Sequence, residues 1–162
     1  MSNKVEFGLS DVHYALWDSE AQEYDTPVAI PGAVSFSCDP EGDSSTFYAD
    51  NIAYVVFATN GGYSGSIEFA KMPTTARTDL LGDVQDGSGL VYEVTTAQPA
   101  EFALLFKFEG DESATWNVLY NVKLERGSEE HGTREDSTDP DTRSFDFTAI
   151  GRDMVIGGDK LN

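Results

Sequence analysis

Few residues of this chain have the type and spacing that catalysis requires. The stretch GYSGS, Gly62 to Ser66, resembles the G-x-S-x-G turn that exposes a nucleophilic serine, but a serine stands where the second glycine is needed. Alternation of apolar and small residues around Ser64 predicts a strand there, whereas a nucleophile of this kind sits on a strand-to-helix turn. We therefore expect no catalytic role for Ser64.

The two histidines, His13 and His131, are far apart in the sequence. With only two histidines, a histidine-based zinc site or catalytic triad is possible but has no support in the sequence. His13 falls on the polar side of an alternating segment and His131 lies in an acidic one, so both are expected at the surface. Cys38 is the single cysteine, which excludes an internal disulfide and a cysteine-rich zinc site.

Acidic clusters are the remaining candidates for chemistry. Residues 39–43 (DPEGD) and 136–141 (DSTDPD) carry closely spaced carboxylates, but neither follows the EF-hand register for calcium. Such runs are usually solvated. A carboxylate pair for glycoside hydrolysis stays open, because an acidic β protein offers many candidates and none stands out. Residues 86–90 (DGSGL) lack the lysine of a phosphate-binding loop. The sequence thus predicts no catalytic residue, metal ligand or cofactor.

Composition limits the class of protein. The chain has 162 residues, with 29 Asp and Glu against 10 Lys and Arg, so its formal net charge is −19. This length predicts one domain, residues 1–162, with a sizeable core. The negative field repels phosphate backbones and anionic lipids, which argues against nucleic-acid recognition and membrane binding. The sequence shows neither a signal peptide nor an apolar run of membrane-spanning length, so we expect synthesis in the cytoplasm.

Alternation with period two predicts strands, the elements that must position any functional surface. Residues 101–109 and 115–125 each place apolar side chains on one face, Trp116 among them, and polar ones on the other. These patterns are typical of half-buried strands with one wet face. The wet faces carry Glu101 and Lys107 in the first segment and Asn117, Asn121 and Lys123 in the second.

One segment, residues 52–58, is apolar on both faces. Such a strand is either central to a sandwich or in contact with another subunit. Residues 60–62 (NGG) accept positive φ and predict a tight hairpin that leads into a strand over 63–69.

Pro73 at the start and Gly82 past the end predict one short helix over about 74–81. Residues 39–51 and 126–143 are polar connections that we predict to be long loops. The predicted fold is dominated by β-structure: a β-sandwich or small barrel with one flanking helix.

The order of these segments resembles the major tail protein of long, non-contractile phage tails, as found in phages and prophages of Gram-positive bacteria. The most specific stretch is PGAVSFSCDPEGDSSTFYADN joined to NGGYSGSIEFAKMP, followed by the helix TARTDLLG. The resemblance is strongest from Lys4 to Gly82 and continues more loosely to the end. Cys38 departs from it, standing where a small or apolar residue is expected.

The resemblance implies a structural virion protein and not an enzyme. Its copies would form hexameric rings that stack head to tail into the tail tube, with a sheet from each subunit joining its neighbours around the channel. Implied partners are further copies of the chain, the tape-measure protein and the tail-terminator or tail-tip proteins. Genomic DNA would pass through without specific binding. The implied location is the virion tail, assembled in the host cytoplasm.

The predicted 39–51 loop is the candidate for contacts between rings or subunits, because it carries aromatic residues of the type enriched in interfaces. The alternative is that these aromatics fold back onto their own sandwich. The contact candidates are Asp43, Phe47, Tyr48, Asp50 and Asn51. The candidates for a lumen or solvent face are Glu101, Lys107, Asn117, Asn121 and Lys123.

A rival hypothesis is a β-sandwich carbohydrate-binding or adhesin module on a virion or cell surface. Such a module needs an exposed aromatic platform, for which Trp17 and Trp116 are the available tryptophans. The alternation places Trp116 in the core, so the prediction for this rival is glycan binding through Trp17.

Overall fold

A computed structural model of the chain describes residues 7–110, 115–127, 141–152, 154–156 and 159–161. Strands dominate the described part, and one helix interrupts them. The elements are β1 (Phe7–Asp18), β2 (Glu23–Tyr24), β3 (Val28–Ala29), β4 (Ala33–Glu41), β5 (Ser44–Ala49), β6 (Ile52–Ala58), β7 (Gly62–Phe69), α1 (Thr74–Leu81), β8 (Val84–Gln85), β9 (Val91–Tyr92), β10 (Phe102–Glu109), β11 (Asn117–Leu124), β12 (Arg143–Ala149), β13 (Met154–Ile156) and β14 (Asp159–Leu161).

Eight of these strands form one antiparallel sheet in the order β2-β1-β10-β11-β12-β7-β4, with β3 also paired to β1. The sheet folds over so that its β4 end approaches β1. Phe36 of β4 then stacks on Phe147 of β12, with 5.6 Å between ring centroids, and lies 4.6 Å from the ring of Phe106 on β10. The described residues form an all-β sandwich that does not close into a barrel, which confirms the predicted fold class.

The core fills the fold of this sheet. Strands β10 and β12 contribute every second side chain to it, for β10 as its alternation predicted, and β7 contributes Ile67 and Phe69. The largest fully buried side chains are Tyr14, Phe69, Phe102, Phe147, Ile67, Leu80 and Val122.

Helix α1 begins and ends where the sequence predicted. Pro73 precedes its first turn with φ −57°, and Gly82 ends it in the left-handed conformation at φ 75°. Leu80 and Leu81 are buried in the core. The helix is short and packs against the sheet, which stabilises a segment too short to persist alone.

The alternation predicted for residues 115–125 is wrong before Asn121. That residue has φ 49°, and the pairing of β10 with β11 shifts register beside it. An extra residue at such a bulge reverses the faces of the strand. Val122 is buried as predicted, but Leu119 packs against the core and Trp116 is 44 % exposed, whereas we expected the opposite for both.

Residues 39–51 are not a loop, contrary to the prediction. Asp39 to Glu41 end strand β4, and β5 begins at Ser44. The predicted hairpin at residues 60–62 is also wrong, since β6 pairs with β5, while β7 pairs with β4 and β12. Strand β6 is exposed along its whole length, so it is not central to the sandwich. Its second interpretation, contact with another subunit, stays a prediction.

The second predicted loop, residues 126–143, is only partly described. Arg126 and Gly127 follow β11, and Arg143 already belongs to β12. His131 and the acidic residues 136–140 lie outside the described residues.

Candidate functional site

Residues 33–69 form one long β-hairpin. Strands β4 and β7 are its base, paired from Ala33↔Phe69 to Glu41↔Gly62, and they belong to the main sheet. Strands β5 and β6 continue the same ladder away from that sheet. Between the two parts, the Thr59 backbone N–H donates to the Asp43 carbonyl oxygen at 2.9 Å. We call residues 43–59 the arm.

The turn at the end of the arm consists of two residues. Asp50 and Asn51 have φ values of 52° and 61°, and the pair Ala49↔Ile52 closes the ladder on either side. Two successive left-handed residues define the turn whose twist suits a two-residue hairpin, and Asp and Asn tolerate that conformation. The DN dipeptide between apolar runs is therefore the sequence signal that locates the turn, and the prediction at residues 60–62 missed it.

Gly42 permits the close contact at the base of the arm. A Cβ at this position would overlap the carbonyl oxygen of Thr59 on the opposite strand. Only glycine allows the two backbones to approach there. The junction between arm and sheet therefore depends on this residue type.

The arm presents large apolar side chains on both of its faces. The base hairpin has its own core partners, but the arm packs against no other described element. Soluble monomers rarely expose a contiguous apolar surface of this kind, so it indicates an interaction site. The side chains between 58 % and 67 % exposed are Phe47, Tyr48, Ile52, Tyr54, Val56 and Phe57.

The hairpin is also acidic throughout. Residues 33–69 contain no lysine or arginine. The arm therefore combines an apolar surface with negative charge only, and its partner surface must tolerate or neutralise that charge. The acids of the hairpin are Asp39, Glu41, Asp43, Asp50 and Glu68.

The structure brings the predicted contact residues together on the arm. Asp43 lies at its base, Phe47 and Tyr48 lie on β5, and Asp50 and Asn51 form the turn. The alternative, that the two aromatics fold back onto their own sandwich, is wrong, because both are more than half exposed. What the arm contacts stays a prediction.

Glu101 and Lys123, two of the predicted face residues, form an ion pair at 3.1 Å. Arg152 also contacts Glu101, at 2.6 Å, and its guanidinium lies 3.8 Å from the ring centroid of Trp17. The hydrogen bond from Lys123 and the one from Arg152 hold the pKa of Glu101 below its usual range, against the effect of partial burial. Because Arg152 and Tyr24 cover Trp17, that residue is not an open platform for a sugar ring.

Lys107 lies on the outer side of β10 with an exposed tryptophan. Its ammonium is 4.1 Å from the ring centroid of Trp116 and 3.2 Å from a carboxylate oxygen of Asp11. His13 meets the edge of the same indole, with ring centroids 5.4 Å apart. Asn117 lies on the opposite face of β11 from the exposed Val118, because neighbouring side chains of a strand point to opposite faces.

Asn121 does not lie on an open face. It is half-buried at the bulge, and its backbone N–H donates to the hydroxyl oxygen of Tyr24 at 3.3 Å. Its side-chain Oδ1 is buried without a hydrogen-bond partner among the described residues. The five predicted face residues therefore occupy four different environments, and only Glu101 and Lys123 contact each other.

The candidates for chemistry remain separate. Ser64 lies within β7, paired to Asp39 and Thr148, and not on a turn. His13 Nδ1 is 2.8 Å from the Asp11 carbonyl oxygen. In the described part of the chain, no three His, Cys, Asp or Glu side chains are grouped so that they could hold a metal ion.

A buried ion network behind α1 escaped the sequence analysis. The fully buried Asp83 carboxylate contacts Arg77 at 2.8 Å and Arg126 at 2.7 Å, and Arg126 also contacts Glu93 at 2.8 Å. Desolvation lowers the pKa of Arg126, but the hydrogen bonds and charges of the two carboxylates outweigh it and raise that pKa. Arg126 also donates to the Leu81 carbonyl oxygen at 3.1 Å, so the network fixes the end of α1 to the end of β11.

No protein-family model matches the chain, and no curated protein matches it. Within the described residues there is no helix of the length and apolar character that a membrane crossing requires.

Proposed function

We propose that the protein is a structural subunit that assembles with copies of itself into stacked hexameric rings, the tail tube of a phage with a long non-contractile tail. One observation carries the proposal: an exposed arm, apolar on both faces, that has no partner among the described residues of its own chain. The resemblance to major tail proteins supplies the ring, its six subunits and the tube.

The shape of the arm, an apolar projection from the main sheet, suits assembly with another molecule better than it suits catalysis. It belongs to a hairpin whose base is part of the main sheet, so a contact made by the arm is coupled to the rigid core. An asymmetric projection of this kind favours a heterologous contact, in which one surface of a copy meets a different surface of the next. Repetition of such a contact along an axis produces a stack.

The proposed partners and location follow from the resemblance, and the proposed passage of DNA follows from the net charge. The tape-measure protein and the tail-terminator or tail-tip proteins are the proposed partners, and the virion tail is the proposed location. A net charge of −19 per subunit opposes binding of the DNA backbone, so genomic DNA can pass through the channel without adhering to it. The proposed role requires no enzymatic activity and no cofactor.

Negative-stain electron microscopy of the concentrated protein, beside light scattering of a dilute sample, tests this function. We expect hollow tubes or six-fold rings at high concentration. A protein that stays monomeric across the whole concentration range contradicts the proposal.

A carbohydrate-binding module is the second candidate, because Trp116 is exposed on the sheet surface beside Lys107. Exposed aromatic rings stack on sugar rings, and Trp116 is 44 % exposed although Lys107 lies over its ring, whereas Arg152 and Tyr24 leave Trp17 only partly exposed. Binding of soluble glycans that Trp116→Ala abolishes, together with absence of tubes, favours this second candidate.

A further inference from the structure

Strand β7 connects the arm to a cavity at the other end of the sheet. The arm joins β7 at Gly62, and β7 ends at Phe69. A cavity of about 260 Å³ opens just beyond that end, between the start of α1 and the start of β12. Among its lining residues are Ala70, Lys71, Met72, Arg77, Asp141 and Arg143. We call this the basic cavity.

The basic cavity concentrates positive charge in a protein that has little of it. Ten lysines and arginines occur in the whole chain, and three of them, Lys71, Arg77 and Arg143, line this one cavity. Asp141 is the acid in the lining, Thr142 of the lining donates a hydrogen bond to Glu68, and Arg77 pairs with the buried Asp83. Lys71 is exposed to solvent. Met72 also lines the cavity but is buried in the core.

The arm and the basic cavity are complementary in charge. The arm carries two acids, Asp43 and Asp50, and no lysine or arginine, and Asp50 lies at its tip. Two copies with a net charge of −19 each repel one another, so a stable contact requires local pairing of opposite charges. The exposed Lys71 places a cation at the surface of the basic cavity for that purpose.

The two surfaces also lie at suitable places for a head-to-tail contact. Strand β7 has eight residues, about 26 Å, and the six paired residues of β5 extend the same ladder by about 20 Å. A copy displaced along this direction brings the cavity end of its sheet to the arm of the first copy. Because the surfaces differ, the contact is heterologous, and a displacement along one axis repeats it into an open stack.

We propose that the arm of one copy docks at the basic cavity of a second copy, with the acidic tip directed toward Lys71. This inference rests on the proposed function, since it names the surface that receives the arm. The apolar side chains of the arm lose their exposure in the contact, and the exposed Ala70 lies at the receiving surface. The occupant of the cavity is thus a second copy of this chain.

Cross-linking between two single-cysteine variants tests the docking. In a Cys38→Ala background, one population carries Ala53→Cys on the arm and the other Ala70→Cys at the cavity; both sites are exposed. The populations are mixed at assembly concentration and treated with a short bismaleimide. We expect a cross-linked dimer of the two variants. The matched control replaces Ala70→Cys by Glu20→Cys, in the exposed turn after β1, and we expect no dimer with it.

The outcomes separate this inference from the proposed function. Tubes in the micrographs without the Ala53–Ala70 cross-link overturn the docking and leave the tube function standing. The cross-link without tubes supports the docking and overturns the tube. Absence of both overturns both. Equal cross-linking to Glu20→Cys overturns the docking, because it indicates random collision.

Charge reversal provides a second measurement. We expect Lys71→Glu to raise the protein concentration needed for assembly about tenfold, the effect of losing one favourable charge contact of about 1.4 kcal/mol. Lys71→Arg keeps the charge and should keep the wild-type threshold. Gln85→Glu with Gln98→Glu changes the net charge by the same amount at exposed sites elsewhere, and it should shift the threshold much less. Equal shifts for the reversal and this control contradict the inference.

Discussion

At the scale of single residues, Asp83 is a buried charge on which the stability of the fold depends. Its carboxylate is fully buried and depends on two arginines, Arg77 and Arg126, for its compensation. Removing one partner of a buried ion pair leaves an uncompensated charge. The network thus makes the junction of α1 and β11 sensitive to one substitution.

We expect Asp83→Ala to lower the free energy of unfolding by about 3–5 kcal/mol, because two guanidinium groups lose their common carboxylate. Urea denaturation followed by circular dichroism measures the change. Asp25→Ala removes an exposed carboxylate and serves as the control, with an expected change within about 0.5 kcal/mol. Similar values for the two variants contradict the assigned role of Asp83.

Tyr14 makes the stability depend on alkaline pH. Burial raises the pKa of its hydroxyl, and the hydrogen bond to Asp79 at 2.6 Å and the charge of that carboxylate raise it further. A raised folded-state pKa stabilises the fold fully below the unfolded value of about 10, and that stabilisation is lost as the pH rises above it. The loss arises because the unfolded chain ionises first.

We therefore expect the melting temperature of the wild type to fall between about pH 10 and pH 11.5 more steeply than that of Tyr14→Phe, which has no hydroxyl to ionise. Thermal unfolding across this range, with both proteins in the same buffers, measures the difference. Parallel curves would show that Tyr14 ionises equally in the folded and unfolded chains.

At the scale of elements, alternation predicted strands well where one face is buried and the other wet. Strands β10 and β12 follow their patterns, and α1 follows its Pro73 and Gly82 signals. The prediction failed for β11, because one extra residue at Asn121 reverses its faces and alternation carries no sign of where a bulge sits.

The arm escaped prediction for a different reason. A strand that is apolar on both faces looks the same whether a core or a second molecule covers it. The sequence therefore identified residues 52–58 as unusual but did not reveal that they pair with residues 44–49. The candidate contact residues nevertheless lie together on the arm, because Phe47 and Tyr48 belong to β5 and Asp50 and Asn51 form its turn; what they contact stays a prediction.

Substitutions in the arm should affect assembly without affecting the thermal stability of the fold. We expect Tyr48→Ser with Tyr54→Ser to leave the melting temperature within a few degrees of wild type, because both side chains are exposed, and to abolish tubes in negative stain. Leu90→Ser with Tyr92→Ser removes two exposed apolar side chains from the β8–β9 segment and is the control that should still assemble. Tubes formed by the arm variant exclude the arm as the contact.

At the scale of the whole molecule, charge opposes the proposed assembly. Every copy carries a net charge of −19, and the proposed ring would bring several such charges together. The screening length falls from about 30 Å at 0.01 M salt to about 8 Å at 0.15 M. Long-range repulsion is screened strongly over this range, while partly buried ion pairs at a contact are screened less.

Added sodium chloride should therefore lower the protein concentration at which tubes form. Light scattering of a dilution series at about 0.01 M and 0.15 M salt measures this threshold. Sorbitol at equal osmolality leaves the screening length unchanged and is the control. A threshold that rises with salt would mean that attraction between opposite charges outweighs the repulsion between subunits.

The connection from the arm to the main sheet, through backbone hydrogen bonds such as Thr59 to Asp43, determines how the protein responds to tension. A pull on the arm moves β4 and β7 together along their length, and β7 is paired to β12 through seven residue pairs. Such a pull loads these hydrogen bonds in shear, so they bear the force together and do not break one after another. A stretched assembly should consequently part at the contacts between copies, with each subunit still folded and able to rejoin.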